Sequence, residues 1–182
     1  MVKLATELGN DAELCRGRGN RALALLALGR AAEARPDIES SLSRYRAQGR
    51  KEGEIVTTID MVLYLAAMGD EAGAARLAWE NHAAALQEDF PKLHIVTGRC
   101  LAPFLPPAER RELLTEMWAA ARATGRPMDE AGCLFALAAI DADPAERAAH
   151  YRAGVELVQQ MGATAWLVGR SPANPPWLPM MI

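Results

Sequence analysis

Apolar residues recur at helical spacing on both sides of Gly29, in the segment from residue 11 to residue 46. Glycine accepts the left-handed conformation in which many helices end, and another helix can begin after a short connection. The pattern therefore predicts an antiparallel hairpin in which one helix ends near residue 28 and the next begins by about residue 31. The apolar positions of the two helices are Ala22, Leu25, Leu26 and Leu28, then Ala31, Ala34, Ile38 and Leu42.

Pro36 lies within the second helix of this hairpin. Proline is tolerated in the first turn of a helix but costs about 3 kcal/mol in the interior, because it lacks a backbone N–H. We therefore expect a late helix start or a kink near this residue.

The same pattern recurs further along the chain, where Gly69 and Ala74 keep the spacing of Gly29 and Ala34. Turns of a second type are marked by Gly9, Gly49, Gly125 and Gly162. The interval from Gly49 to Gly125 is twice as long as the others, so one marker is missing near residue 87, where QEDFPK supplies a proline and charges instead. The sequence thus predicts four hairpins with a period of about 37 to 40 residues, at about 11–48, 52–88, 92–124 and 128–161.

The third and fourth hairpins use proline at their internal turns. The third turns at FLPPAE, where the proline pair replaces glycine as the helix break. The fourth turns at DADPAE, where Asp143 is placed to cap the next helix and Pro144 to occupy its first position.

Residues 15 to 48 resemble a tetratricopeptide repeat. The matching small residues are Ala22, Gly29, Ala34 and Ser41, and the large apolar ones are Leu25 and Ile38. Residues 55 to 88 repeat the match, although Arg21 in the first repeat and Asn81 in the second depart from the usual residue types.

The units of this chain are longer than the roughly 34 residues of a tetratricopeptide repeat. In this they look like the extended repeats of bacterial multidomain signalling ATPases and transcription activators. The resemblance implies an all-α fold, a right-handed α-solenoid of about four antiparallel helical hairpins over residues 1–168, followed by a proline-rich tail at 169–182.

Composition argues against several classes of partner. The formal net charge of −3 comes from 20 basic and 23 acidic residues spread along the chain, so no strong field would attract nucleic acid or a membrane surface. The three cysteines are an odd number without a CxxC pair, which favours a reducing compartment. With no apolar run near the roughly 18 residues of a membrane span, we expect a cytoplasmic protein.

Motifs of catalysis and cofactor binding are missing from the sequence. It contains no phosphate-binding loop, nucleophile elbow, zinc-binding HExxH pair or dinucleotide fingerprint, and GRGNR at residues 17–21 lacks the preceding strand that a phosphate site needs. Cys100 and Cys133 are expected to be small buried hydrophobes, and Asp141 and Asp143 to serve helix ends. We therefore expect a protein that is not an enzyme and holds no metal or cofactor.

A concave surface is the remaining candidate site. In such a superhelix the resemblance places six residues on the inner helices, namely Arg16, Leu23, Leu26, Val56, Ile59 and Leu63. They can form an apolar groove for a partner, or they can pack between neighbouring hairpins. The leading interpretation is a noncatalytic scaffold that binds a protein or peptide. The alternative is an effector-sensing or regulatory segment of a larger bacterial signalling or transcription-regulating protein.

Both ends of the chain carry further expectations. KLATELGN looks like the last turns of an outer helix whose inner partner is absent, so we expect either a fragment of a longer array or a natural capping turn. An uncapped terminal repeat would predict a missing neighbour or a homodimer contact. In the tail, Trp177, Leu178 and Met180 are costly to expose on a proline-rich segment. We expect them to dock in the groove or on a partner.

Overall fold

The computed structural model describes residues 11 to 163 and Leu167, which form helices joined by short turns, with no strand among them. The eight α-helices of these residues are α1 (Asp11–Ala27), α2 (Ala31–Ala47), α3 (Lys51–Ala67), α4 (Glu71–Gln87), α5 (Pro91–Leu101), α6 (Pro107–Ala123), α7 (Pro127–Ile140) and α8 (Pro144–Gln160). A 3-10 turn, Ala102–Phe104, follows α5. The prediction of an all-α fold is confirmed.

The first five helices start at equal intervals along the chain, at Asp11, Ala31, Lys51, Glu71 and Pro91. Each of the first four helices has 17 residues and is followed by a short connection of constant length. A hairpin of two helices therefore repeats regularly in this part of the chain, with a period at the upper end of the predicted range.

Gly29 closes the first hairpin as predicted, since α1 ends two residues before it and α2 begins two residues after it. It has a φ of +71°, and its N–H donates to the Leu26 carbonyl at 3.0 Å. The Arg30 N–H donates to the Leu25 carbonyl at 2.8 Å. This pair of hydrogen bonds is the Schellman motif, which satisfies carbonyls that a helix end leaves without partners.

Asp89 takes the place of the missing glycine near residue 87. Its φ is +50°, and it alone has a positive φ among the described residues other than glycine. Its N–H donates to the Leu86 carbonyl at 3.3 Å, and the Phe90 N–H donates to the Ala85 carbonyl at 3.4 Å. The aspartate thus makes the same motif as Gly29, with longer hydrogen bonds.

Of the two expectations at Pro36, the late start of α2 is wrong, because this helix begins at Ala31 and contains Pro36 in its second turn, and the kink stays a prediction. The proline deprives the Ala32 carbonyl of its intrahelical donor, but both residues are exposed, so solvent can donate instead. Ala34 and Ile38 on the opposite face are fully buried. Their burial stabilises the helix against the local cost of the proline.

The proline-containing turns form where the sequence predicts them. At FLPPAE, α5 and its 3-10 turn end before α6, which begins at Pro107. At DADPAE, Asp143 Oδ1 accepts a hydrogen bond from the Ala145 N–H at 3.0 Å, and Pro144 is the first residue of α8. The expected roles of Asp143 and Pro144 are confirmed.

The chain divides into two compact units, residues 1–93 and 94–182, which we call the first and second unit. In the first unit α1 packs on α2, α2 on α3 and α3 on α4, and α1 also contacts α3. In the second unit α7 lies against both α6 and α8. This sequential packing of antiparallel helices is typical of an α-solenoid. The division falls beside the predicted start of the third hairpin, so each unit contains two predicted hairpins.

Candidate functional site

The six predicted groove residues lie on two helices of the first unit: Arg16, Leu23 and Leu26 on α1, and Val56, Ile59 and Leu63 on α3. Ile59 and Leu63 are buried, because α3 is covered by α1, α2 and α4. These two side chains therefore pack between helices of the first unit, which is the second of the two roles expected for them. Arg16 is exposed and pairs with Glu13 at 3.2 Å, and the other three are half-buried.

Large apolar side chains are exposed at other positions of the first unit. Leu28, Met68, Trp79 and Leu86 are 70%, 51%, 52% and 53% exposed. The prediction that Leu28 belongs to an apolar helix face is wrong, because α1 ends one residue earlier and Leu28 lies in the turn. Met68 lies at the equivalent position of the next hairpin turn.

One exposed stripe follows α4, and we call it the α4 apolar face. It consists of Ala72, Trp79, Ala83 and Leu86, all exposed. Trp79, Ala83 and Leu86 follow the i, i+4, i+7 spacing of one helix face. Amphipathic helices use such a face to contact proteins, and tryptophan is enriched among the residues that dominate binding energy. The sequence carries only a weak signal for this face, because α4 is rich in alanine on several sides.

A cavity of about 230 Å³ opens between α2, α3 and α4, beside the exposed side of α4. At one end Arg46 and Lys51 lie 2.7 and 3.4 Å from Glu54. The hydrogen bond from Arg46 is the main reason that the pKa of Glu54 lies below its usual value. Glu54 is therefore ionised at neutral pH, and Arg46 and Lys51 balance its negative charge.

Asp60 is a buried carboxyl on α3. Its Oδ2 lies 3.4 Å from the position that a Cβ on Gly19 of α1 would take, and its Oδ1 has no hydrogen-bond partner among the described residues. Burial raises the pKa of Asp60 to about 8. The carboxyl is therefore mostly protonated at neutral pH.

Asp141 is the centre of a polar network in the second unit. Arg111 Nη2 donates to its Oδ1 at 2.6 Å, and His150 Nδ1 lies 2.7 Å from its Oδ2. Arg147 Nη2 donates to its backbone carbonyl at 2.7 Å. The expectation that Asp141 only serves a helix end is too narrow, because its buried carboxylate joins α6 to α8 at the end of α7.

The His150 ring of this network also has an aromatic neighbour. The ring of His150 meets Trp118 edge-on at 5.9 Å, and no described hydroxyl or thiol forms a hydrogen bond with His150. A histidine that activates a nucleophile needs such a bond, directly or through a water molecule. Among the described residues the network joins α6 to α8 at the end of α7.

Cys100 and Cys133 are buried, as expected, and so is Cys15; the three form no disulfide among the described residues. Burial is the main cause that raises the pKa of Cys133 to about 12, so this thiol is not ionised at neutral pH and is a poor nucleophile. Within residues 11–163 and Leu167, no group of three or more histidine, cysteine, aspartate or glutamate side chains could hold a metal ion.

Two expectations lie outside the described residues. These are the uncapped amino-terminal turn at Gly9 and the docking of Trp177, Leu178 and Met180. Both stay predictions.

None of the helices between residues 11 and 163 combines the length and apolar character of a membrane span. In comparisons with known proteins, no family model and no curated protein matches this chain.

Proposed function

We propose that this protein is a noncatalytic helical-repeat scaffold that binds a protein or peptide partner, with the right-handed, tetratricopeptide-like geometry that the sequence resembles. The regular spacing of its first hairpins and the sequential packing of their helices support this proposal. The buried cysteines favour a reducing compartment, so the partner would be cytoplasmic. The balanced charges favour a protein or peptide over nucleic acid or a membrane.

The α4 apolar face is the observation that carries this proposal. Trp79 and Leu86 leave about half of their surface in water, while Ala74, Ala78 and Ala85 of the same helix are buried. Burial of apolar surface against a partner is favourable at roughly 25 cal/mol per Å². A tryptophan at the centre of such a face is a strong candidate for the residue that contributes most to affinity.

The test compares two double variants of the full chain in affinity capture from native cells. In W79S/L86S the α4 apolar face loses both large side chains, and we expect captured partner to fall by about tenfold or more. The control L28S/M68S removes two other exposed apolar side chains, at the turns, and should retain the partner. Equal capture by wild type and W79S/L86S would contradict the proposal, and sedimentation of the wild type reveals whether the partner is a second copy.

The second candidate is an effector-sensing or regulatory segment of a larger bacterial signalling or transcription-regulating protein. The observation that favours it is the cavity between α2, α3 and α4. Its volume of about 230 Å³ lies below the roughly 300–1,000 Å³ of sites for drug-sized ligands. It would therefore take a small molecule or a single side chain.

A further inference from the structure

The cavity of the first unit has a mixed lining. Ile55, Leu77 and Ala84 supply apolar walls, and polar side chains from the three helices lie between them. A ligand of matching character would combine a short apolar stem with a polar head group.

The basic groups of the lining are already occupied. Arg46 and Lys51 both pair with Glu54, and the three groups together carry a single positive charge. Glu54, the carboxylate at that end of the cavity, already has two cationic partners, so it is not the group that would bind a ligand's donors.

The groups with spare capacity are acceptors. Asn81 is 6% exposed and spends its Nδ2 on the Ile55 carbonyl at 3.0 Å, while no described residue donates to its Oδ1. Thr58 Oγ1 donates its proton to the Glu54 carbonyl at 2.8 Å, so the oxygen can act toward a ligand as an acceptor.

Two carboxylates complete this set of acceptors. Glu88 makes no ion pair with any described residue. Glu80 is held by a single long contact from Arg76, at 3.3 Å to Oε1. Acceptors and negative charge with few donors select a head group that carries donors and positive charge.

We propose that this cavity binds the cationic head of an alkylguanidinium or alkylammonium group. Guanidinium and ammonium groups are donors without acceptors, which matches the available oxygens of Asn81, Glu80 and Glu88. The aliphatic stem packs on the apolar walls, as the stems of arginine and lysine do at protein surfaces.

Two sources offer this chemistry, and the inference rests on the proposed binding function in either case. An arginine or lysine side chain of a peptide partner suits the scaffold role, and a free small cation suits the effector-sensing role. The arms of the experiment separate the two.

The experiment is calorimetric titration of the full chain. The free-cation arm uses N-acetyl-arginine N-methylamide, with the neutral citrulline analogue of the same shape as its matched control. The peptide arm uses a capped nonapeptide of alanine and serine with one central arginine. We expect binding of the arginine probes and none of the citrulline analogue, with the tighter arm identifying the source.

The variant E80Q/E88Q removes both carboxylates at exposed positions, so the fold should persist. We expect about tenfold weaker binding of the arginine probes or more. The control E52Q/E71Q removes two exposed carboxylates of α3 and α4 that lie outside the cavity, and it should bind as the wild type does.

The inference is overturned if neither probe binds at millimolar concentration, if the citrulline analogue binds equally well, or if E80Q/E88Q binds like the wild type. These failures are distinct from failure of the scaffold proposal, because W79S/L86S leaves the cavity lining intact. If W79S/L86S loses the partner and the arginine probes do not bind the wild type, the scaffold proposal stands and the cation-site proposal is rejected.

Discussion

Asp60 in the first unit and Asp141 in the second unit are both buried, but their surroundings differ in the charges that they offer. Asp141 accepts from Arg111 and lies within hydrogen-bond distance of His150, at 2.6 and 2.7 Å. Asp60 has an oxygen without any described partner, and burial alone shifts its pKa. Asp141 is buried together with its polar partners, whereas Asp60 is buried as a mostly protonated, neutral carboxyl.

The two carboxyls are therefore expected to affect the stability of their units in opposite directions. In the second unit, burial of the charge is offset by partners on two neighbouring helices, so the carboxylate of Asp141 contributes to cohesion. In the first unit, α1 passes close to Asp60 at Gly19 and supplies no donor to its Oδ1. Removing the charge of Asp141 should therefore lower the free energy of unfolding, whereas replacing Asp60 by a neutral residue should raise it.

Replacement of Asp60 by asparagine should have the largest effect. Between the ordinary carboxyl pKa of 3.8 and the folded value of about 8, the folded protein holds a proton that the unfolded chain has released. The contribution of Asp60 to the stability of the wild type therefore falls with rising pH by about 1.4 kcal/mol per unit in this window, and no further above it. The D60N variant lacks this loss and should be more stable by roughly 4 kcal/mol at pH 7.

Urea unfolding of both proteins at pH 4, 5.5, 7 and 8.5 measures the difference, in which other titrating groups cancel. The two proteins should be nearly equal at pH 4 and diverge up to pH 8. A constant difference across this range would show that Asp60 is ionised in the folded protein, and the contrast with Asp141 would disappear.

Replacement of Asp141 by asparagine should have the opposite sign. It leaves Arg111 without its buried counter-charge and removes the carboxylate beside His150, and loss of one partner costs about 3–5 kcal/mol for fully buried pairs. Since the Arg111 side chain is 43% exposed, we expect about 2–3 kcal/mol at pH 7, measured by urea unfolding. The matched control is D143N, two residues away, because asparagine also caps helices well. If D141N and D143N had equal effects, the network around Asp141 would contribute no more to stability than a helix cap does.

Two glycines extend the comparison from charge to packing. A Cβ on Gly154 would lie 2.8 Å from Phe135 Cε1, and that buried ring is also held by Tyr151 at 5.7 Å between ring centroids. We expect G154A to destabilise the protein by about 1–3 kcal/mol, because the core cannot yield easily. Gly19 lies within α1 and the atom nearest to an added Cβ is an ordinary 3.4 Å away, so G19A should stabilise the protein by about 0.5–1 kcal/mol, because alanine favours a helix interior over glycine. Thermal unfolding of both variants tests this, and equal effects would mean that the two units are packed alike.

The helices and turns were predictable because their signals are local. Gly29 and Gly69 each occupy a positive φ that other residues adopt at a cost, so a glycine between two helical patterns indicates a turn. Asp143 and Pro144 carry an equally local signal for a helix start. The expectation for Leu28 is wrong because helical periodicity runs on past the last helical residue and does not show where the helix ends.

The candidate surfaces depend on tertiary packing, which the sequence pattern does not contain. Ile59 and Leu63 are buried because α3 has neighbours on three sides, a fact about the arrangement of helices. Trp79 lies in a helix with alanines on several faces, so periodicity does not separate its exposed side from its buried one. The cavity depends on the meeting of three helices, and no single segment encodes it.

A small effect is expected at Asp89, the residue that stands where other turns of the first unit have glycine. A positive φ costs a residue with a side chain about 1 kcal/mol, and a negative charge after a helix carboxyl end is unfavourable as well. We expect D89G to stabilise the protein by about 1 kcal/mol in urea unfolding. D89N, which removes the charge but keeps a side chain, isolates the electrostatic part and should gain less. E88G is the matched control, because Glu88 has a φ of −85° and glycine there only adds freedom to the unfolded chain. If D89G were no more stable than D89N, the cost at this position would come from the charge of Asp89. The positive φ would then carry no measurable strain.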